Sequence, residues 1–349
     1  MADTMLDWSR SWTAHWRVHR VERSTWADGA RLEGVTKLTV QRDATGDAPL
    51  LETASMTLVG DEPPVDYYRL VLIAEQGGTW ERQDIATMLY ERTKGIADHG
   101  VRTLTLAGRS VLWPASVRVM PLTAYAPSGA DGAQYVARLL RTCVHCPVSV
   151  VTGGGFVLAS NVVHEPGTTY LQAAWDVLRA GNHTMIVDGS GAVTIVPVAS
   201  SPSLTLDAAG AALLRPGIEY TLDYSDVPNR YIAVDDLASA VAVNDSPTSP
   251  TSTVTRGCYV DEYDSSPVRV DGETLGAYAQ RRLRELSVVA SERTYTRKWT
   301  PDTYPGSVVR GSMSSVELEG DLRIVTQRLE CGAGIEVSER AAQEVQTWT

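Results

Sequence analysis

The chain holds one phenylalanine, four cysteines and six histidines in 349 residues. Four cysteines do not make a disulfide scaffold, and no second Cys pair stands at finger-like spacing from the first. Cationic surplus is missing too: 31 Lys and Arg face 42 Asp and Glu, a net charge of −11. That balance argues against a protein whose main work is gripping phosphate backbones. Residues 2–20 carry Asp3, Asp7, Arg10, Arg17 and Arg20 without an apolar core, so no secretory leader is expected. No run of about 20 apolar residues predicts a transmembrane helix. The nearest approach, 142–163, has no Asp, Glu, Lys or Arg but contains Pro147, Gly153, Gly154, Gly155 and Asn161. It reads as two strands, 147–152 and 156–163, closed by the glycines into a buried hairpin.

Catalytic templates are equally scarce. There is no phosphate-binding G-x-x-x-x-G-K-[ST] loop, and Gly153–Gly155 lacks the lysine. His164-Glu165 is followed by Pro166-Gly167 rather than a second histidine, and no serine sits in a G-x-S-x-G elbow. Asp188-Gly189-Ser190-Gly191 is too short for a calcium loop; Asp261-Glu262-Tyr263-Asp264 lacks its glycine and terminal glutamate. Cys143-Val144-His145-Cys146-Pro147 resembles a redox motif but closes a predicted helix, where the dipole has the wrong sign to stabilise a thiolate. The four cysteines are therefore expected to be packed thiols, with no metal, no cofactor and no enzymatic activity. A glycosidase pair of carboxylates is marked by nothing in the spacing.

What is present is β texture. Trp12, Ala14, Trp16 and Val18 alternate with Thr13, His15, Arg17 and His19, the period of a half-buried strand. Trp8, Trp12 and Trp16 also fit a helical stripe, and they form either a docking surface or part of the core. Further strands are expected at 35–41, 54–59, 67–75 and 101–106, with Gln76-Gly77-Gly78 turning into another. Short strands between turn signals suggest a barrel or sandwich.

At Tyr125-Ala126-Pro127-Ser128-Gly129 the texture changes. Asp131 is placed to cap a helix through about residue 142, and a second helix is expected over 169–180 with Gly181 at its C′ position. Met185 to Val196 reads as two strands around the turn Asp188–Gly191, the clearest hairpin in the chain. β character returns at 218–223, 229–234 and 238–244, followed by a Pro/Ser/Thr loop, 245–253. A third helix, 272–286, is expected with Asp271 as its cap. Strands at 288–295, 308–313 and 321–330 complete the pattern. Residues 216–272 hold 3 basic and 10 acidic side chains, so a net −7 sits in one segment. Arg281, Arg282 and Arg284 splay around the polar face of the third helix, a solvated surface rather than a nucleic-acid site.

The order of these segments resembles the hub proteins of bacteriophage tails and baseplates, and also the structural N-terminal part of tail-associated lysins. The similarity is carried by Leu38–Asp43 and Glu52–Leu58 as opening strands and by Leu171 to Ile195, a helix and a hairpin with "MIVDGSGAVTIVP". Tyr224-Ser225-Asp226-Val227-Pro228-Asn229-Arg230, a "D-V-x-N" entry into later strands, is the third element. The resemblance implies an α+β, β-rich fold: two β-barrel-like domains, an inserted small α/β domain and a closing α/β segment. The corresponding boundaries are 1–125, 131–215, 216–271 (completed by later strands) and 272–349.

For function it implies a non-enzymatic, homotrimeric hub at the tail tip of the virion, made in the host cytoplasm. Such a hub joins the six-fold tail tube or distal ring to the three-fold tip and lets DNA pass. Its partners would be the distal tail or tail-tube protein, the tape-measure protein, and fibre or spike proteins. Asp223, Asp226, Asp235 and Asp236 are the acidic residues expected to face the passage; Trp8, Trp12 and Trp16 are the docking candidates. The alternatives are a cell-wall hydrolase and a receptor- or carbohydrate-binding tail-tip protein.

Overall fold

Among the described residues, seven strands follow one another before the first helix: β1 (Thr13–Glu22), β2 (Ala27–Leu32), β3 (Val35–Asp43), β4 (Thr53–Val59), β5 (Asp66–Gln76), β6 (Thr79–Asp98) and β7 (Val101–Ser110). They pair antiparallel in the order β3-β4-β7-β6-β5-β1-β2. The structure is a computed structural model, and it describes residues 6–8, 10–44, 51–121, 124–158, 161–207, 218–235, 238–265, 274–301, 303–313, 318–332 and 334–348. The fold class is the α+β, β-rich one expected, with large antiparallel sheets and few helices. The chain divides into two compact units, Met1–Gly217 with Tyr295–Arg340, and Ile218–Thr294 with Ala341–Thr349.

In the first unit the side-chain period of two decides what is buried. Leu38 and Val40 of β3, Met56 and Leu58 of β4, and Leu104 and Leu106 of β7 point into one core, with Leu70, Leu72 and Met88. Each large side chain so buried contributes about 1.5–3 kcal/mol. The strand Leu318–Cys331 pairs with β3, setting Leu329 opposite Val40, and it also pairs with Val308–Met313. β5 breaks the alternation, being buried almost throughout. Tyr68, Leu70 and Leu72 serve the sheet core, whereas Tyr67 joins a second core with the helices that follow.

That second core is built on α2 (Gly132–Arg141) and α3 (Tyr170–Ala180), preceded by the short α1 (Trp113–Val117). Asp131 caps α2 by accepting from Gln134 N, as the sequence predicts, and Thr169 caps α3 through Gln172 N. Val136, Leu140, Leu171 and Leu178 pack against Met185, Val187, Val193 and Ile195 of the hairpin His183–Val187/Val193–Pro197. Three local expectations need correction. The stretch 147–163 is not a hairpin: Val148–Val150 runs parallel to Val193–Ile195, while Val162–Val163 pairs with Tyr125–Ala126. Phe156 turns inward instead, its ring 4.5 Å from that of His183. Gly181 has φ −97°, and the left-handed position past α3 is taken by Asn182 at φ 54°. The strand Ile335–Gln346, close to the C-terminus, had no counterpart in the reading of the sequence.

The second unit holds a three-stranded sheet, Ser239–Val243/Arg230–Val234/Asp261–Asp264, covered on one face by α5 (Leu275–Leu286). Glu219–Leu222 pairs separately with Ser291–Thr294. The cap of α5 is Thr274, whose hydroxyl accepts from Ala277 N, not Asp271, which lies outside the described residues. Ahead of α5, the one-turn helix α4 (Thr253–Arg256) closes the Pro/Ser/Thr loop. This loop is anchored rather than free: Ser249, Thr251 and Ser252 are buried. Asn244 Nδ2 donates to Ser249 Oγ at 2.9 Å and Thr251 Oγ1 at 3.3 Å.

Candidate functional site

The tryptophans lie along the first strand and its approach, and all three are half-buried against the first unit's own core. Trp8 meets Trp12 edge-on at 5.4 Å and Trp299 at 5.3 Å. Trp16 Nε1 donates to Gly332 O at 2.8 Å. Trp12 keeps an unbonded, buried Nε1 and borders a groove of about 820 Å³ with His15, Lys298, Glu330, Ile335 and Glu336. The groove mixes an aromatic wall with one cation and two carboxylates.

Of the acidic candidates, Asp223 is exposed and its carboxylate accepts from the backbone N and hydroxyl of Ser225, which hold it below the usual carboxylate range. Asp235 accepts from Ala238 N across the turn between two strands. Asp226 is exposed, and Asp236 lies outside the described residues. Asp223 and Asp235 therefore have local work in turns, independent of any passage.

The Cys143 thiol donates to the carbonyls of Leu139 and Leu140 at the end of α2. Burial pushes the Cys146 thiol up to about 12, so it stays protonated near neutral pH. Among the described residues no group of three or more His, Cys, Asp or Glu is placed to hold a metal ion.

Two motifs gain a physical account. The turn Asp188–Gly191 docks into a socket on the first sheet. Trp26 Nε1 donates to Ser190 O at 2.8 Å, Arg69 Nη2 to the same oxygen at 3.0 Å, and Thr87 Oγ1 to Gly189 O at 3.0 Å. Asp188 Oδ1 shapes the turn by accepting from Ser190 Oγ and Ala192 N. A Cβ on Gly189 would lie 1.7 Å from Asp84 O, so the close approach demands glycine. In the second unit Asn229, fully buried, donates to Thr251 O and Cys258 O and accepts from Val260 N. The "D-V-x-N" asparagine is thus the peg that holds the loop leading to Asp261–Asp264.

The sequence reading missed a buried ionic chain in the first unit. Arg297 (0% exposed) forks onto Glu339 with Nε–Oε2 at 2.8 Å and Nη2–Oε1 at 2.7 Å. Gln327 Nε2 donates to Glu339 Oε1 at 2.8 Å, and Gln327 Oε1 accepts from Arg42, whose Nε reaches Glu52 Oε1 at 2.7 Å. Burial raises the Glu52 carboxyl against the opposing pull of Arg42. The available signal was phase: Arg42 follows Leu38 and Val40 on the inward side, and Glu339 stands between Val337 and Ala341. The charged groups of this chain are paired with one another, which suits it to fixing strand register rather than to chemistry.

No family model matches the sequence, and no curated protein matches it either. Solved structures do. The tail protein from Neisseria meningitidis MC58 is 13% identical with a TM-score of 0.65, over 95% of this chain and 97% of that one. The 43 kDa tail protein of prophage MuSo2 from Shewanella oneidensis is 13% identical with a TM-score of 0.61, over 94% and 97%. A Francisella PdpA–VgrG complex matches at 10% identity and TM-score 0.54, over 96% of this chain but 58% of that one. Over 94–95% of its length, the fold of this chain is that of these two tail proteins.

Proposed function

We propose that the chain is a structural, non-enzymatic subunit of the tail tip of a phage or phage-like particle. In this reading three copies form a hub that joins the six-fold tail tube or distal ring to the three-fold tip and lets DNA pass. The observation that supports it best is the full-length match in fold to two tail proteins, which leaves little of either chain unmatched. The interior points the same way, since its buried charges are spent on one another and its buried cysteines are held as thiols. The partners follow from the position: a distal tail or tail-tube protein, a tape-measure protein, and fibre or spike proteins. The tryptophan-lined groove is the proposed docking place for one of them. The divisions 1–125, 131–215, 216–271 and 272–349 are kept as the proposed functional parts.

Asp226, with Asp223 beside it, is the acidic candidate for the passage wall. At physiological salt the Debye length is about 8 Å, so such charges prevent sticking rather than steer DNA. Asp226→Lys particles should assemble and eject more slowly at low salt; ejection at the normal rate would remove this role. Gold-labelled antibody against the chain should mark the tail tip of purified particles, and label elsewhere would overturn the hub. Incubation of the purified protein with peptidoglycan should release no soluble fragments; release would restore the hydrolase alternative.

A further inference from the structure

The hairpin β6–β7 of the first unit outruns the sheet it belongs to. β5 leaves β6 at Tyr90 and β4 leaves β7 at Thr103, so beyond those points the two strands pair only with each other among the described residues. His99 and Gly100 close the hairpin with φ 46° and 83°, the two left-handed positions of a type I′ turn. Every residue of 94–103 is exposed. A two-stranded ribbon is marginal by itself in water, and its free edge is a template for a further strand. The edge of β6 over 93–98 is such a template, with no proline and no bulge to close it.

The two faces of that edge select what can be added to it. On one face, cross-strand pairing sets Val59, Thr103 and Ile96 in an apolar row, with Ile96 67% exposed. Lys37, Thr57, Thr105 and Lys94 form the next row, which holds two cations and no carboxylate. Neither lysine has an ion pair among the described residues. On the other face Gly95 stands between Thr93 and Ala97 over a hollow of about 250 Å³, lined also by Leu104, Arg102 and Glu62. A strand laid beside β6 continues both rows. It meets Ile96 with an apolar side chain and Lys94 with a carboxylate. Beside Gly95 it places an aromatic ring, which covers the space that the missing side chain leaves.

We propose that the free edge of β6 receives an extended segment of a different protein by antiparallel strand addition, with the order apolar, aromatic, acidic along that segment. Antiparallel pairing sets the residue before the aromatic one opposite Ile96 and the residue after it opposite Lys94. Main-chain hydrogen bonds supply the grip, and the two faces supply the selectivity. The edge of a second copy holds no aromatic residue over 93–98 to fill the hollow, so the partner is another chain. The edge and its hollow belong to the first unit alone, and the pairing does not rest on the hub reading above.

The test uses the full chain with isotope-labelled isoleucine methyl groups, so that Ile96 reports directly by NMR; Ile96→Val assigns its signal. The probe is a short peptide, blocked at both ends, with the core Val-Tyr-Glu between serine and threonine flanks. The Ile96 signal should shift saturably, and a peptide with the reversed core Glu-Tyr-Val should bind about tenfold more weakly. Lys94→Glu should weaken the first peptide by about tenfold, and a Val-Tyr-Lys peptide should restore binding to that variant. Gly95→Val should erase the advantage of tyrosine over alanine at the centre of the peptide. These positions are exposed, and circular dichroism checks the fold of each variant. No saturable shift, equal affinity for the two core orders, or a Lys94→Glu variant that still prefers Val-Tyr-Glu would each overturn the strand addition. Dimers of the chain that Lys94→Glu abolishes would put a second copy on the edge and overturn the choice of partner. Absence of the chain from the tail tip would defeat the hub reading and leave these outcomes as they are.

Discussion

Replacing Gly189 by alanine tests how the hairpin is locked to the first sheet. The new Cβ would sit 1.7 Å from Asp84 O, 2.3 Å from the Asp84 carbonyl carbon and 2.8 Å from Ile85 N, all backbone atoms that cannot swing aside. Either the sheet deforms or the turn lifts out. Lifting out forfeits three hydrogen bonds, from Trp26, Arg69 and Thr87 to the carbonyls of Ser190 and Gly189. Two neutral bonds at about 1 kcal/mol each and one from a guanidinium at about 2 sum to roughly 4 kcal/mol. Deformation costs about 1–3 kcal/mol if overpacking is absorbed locally. The cheaper route wins, so the expected loss is about 1–3 kcal/mol, read as the shift in the urea midpoint multiplied by the m-value. Ser190→Ala is the control: it removes the hydroxyl that meets Asp188 but keeps the carbonyl that Trp26 and Arg69 reach. It should cost within about 1 kcal/mol. If Gly189→Ala unfolds at the wild-type midpoint, or if Ser190→Ala costs as much, the turn is not held by close backbone approach and the reasoning fails.

Other perturbations probe the remaining buried polar groups. Glu339→Gln leaves Arg297 buried opposite a neutral amide and should cost about 3–5 kcal/mol, while Arg297→Met combined with Glu339→Leu should recover part of that in urea titration. His164 is buried, and burial, only partly opposed by Asp176, lowers its pKa below 6.5. The unfolded chain then binds a proton that the folded chain refuses. Stability contributed by this ring is whole above about pH 6.5 and is lost as the pH falls below it, and His164→Leu should flatten that part of a midpoint-against-pH curve. Asn229→Ala removes the peg for residues 251–260 and should cost about 2–3 kcal/mol through three lost bonds, one of them to the buried Thr251. Proteolysis should then cut within 245–258 sooner than it does in the wild-type chain.

The sequence by itself settled what depends on near neighbours. Period-two alternation marked β1, because one covered face is enough to select the side chains on it, and strands were expected where β3 and β4 stand. Asp131 and the hairpin around Asp188–Gly191 were legible for the same local reason: a side-chain oxygen reaching an amide three residues on, and glycines at a tight reversal. The tryptophans were visible as a stripe, but a stripe does not say which wall it faces. Partners distant along the chain settled that, including Trp299 for Trp8 and Gly332 for Trp16.

Only the tertiary structure decided the rest. Residues 147–163 failed as a hairpin because the open edge at Val193–Ile195 offered Val148–Val150 a better ladder than its own neighbour did. β5 showed no alternation because a second core, built from helices some 65 to 110 residues later, covers its other face. Arg42 and Glu339 stand almost 300 residues apart, and their charges became tolerable in the core only when Gln327, Glu52 and Arg297 arrived beside them. Burial of a charge is permitted by its partners, and partners of that kind are assembled by the fold rather than spelled by any window of the chain.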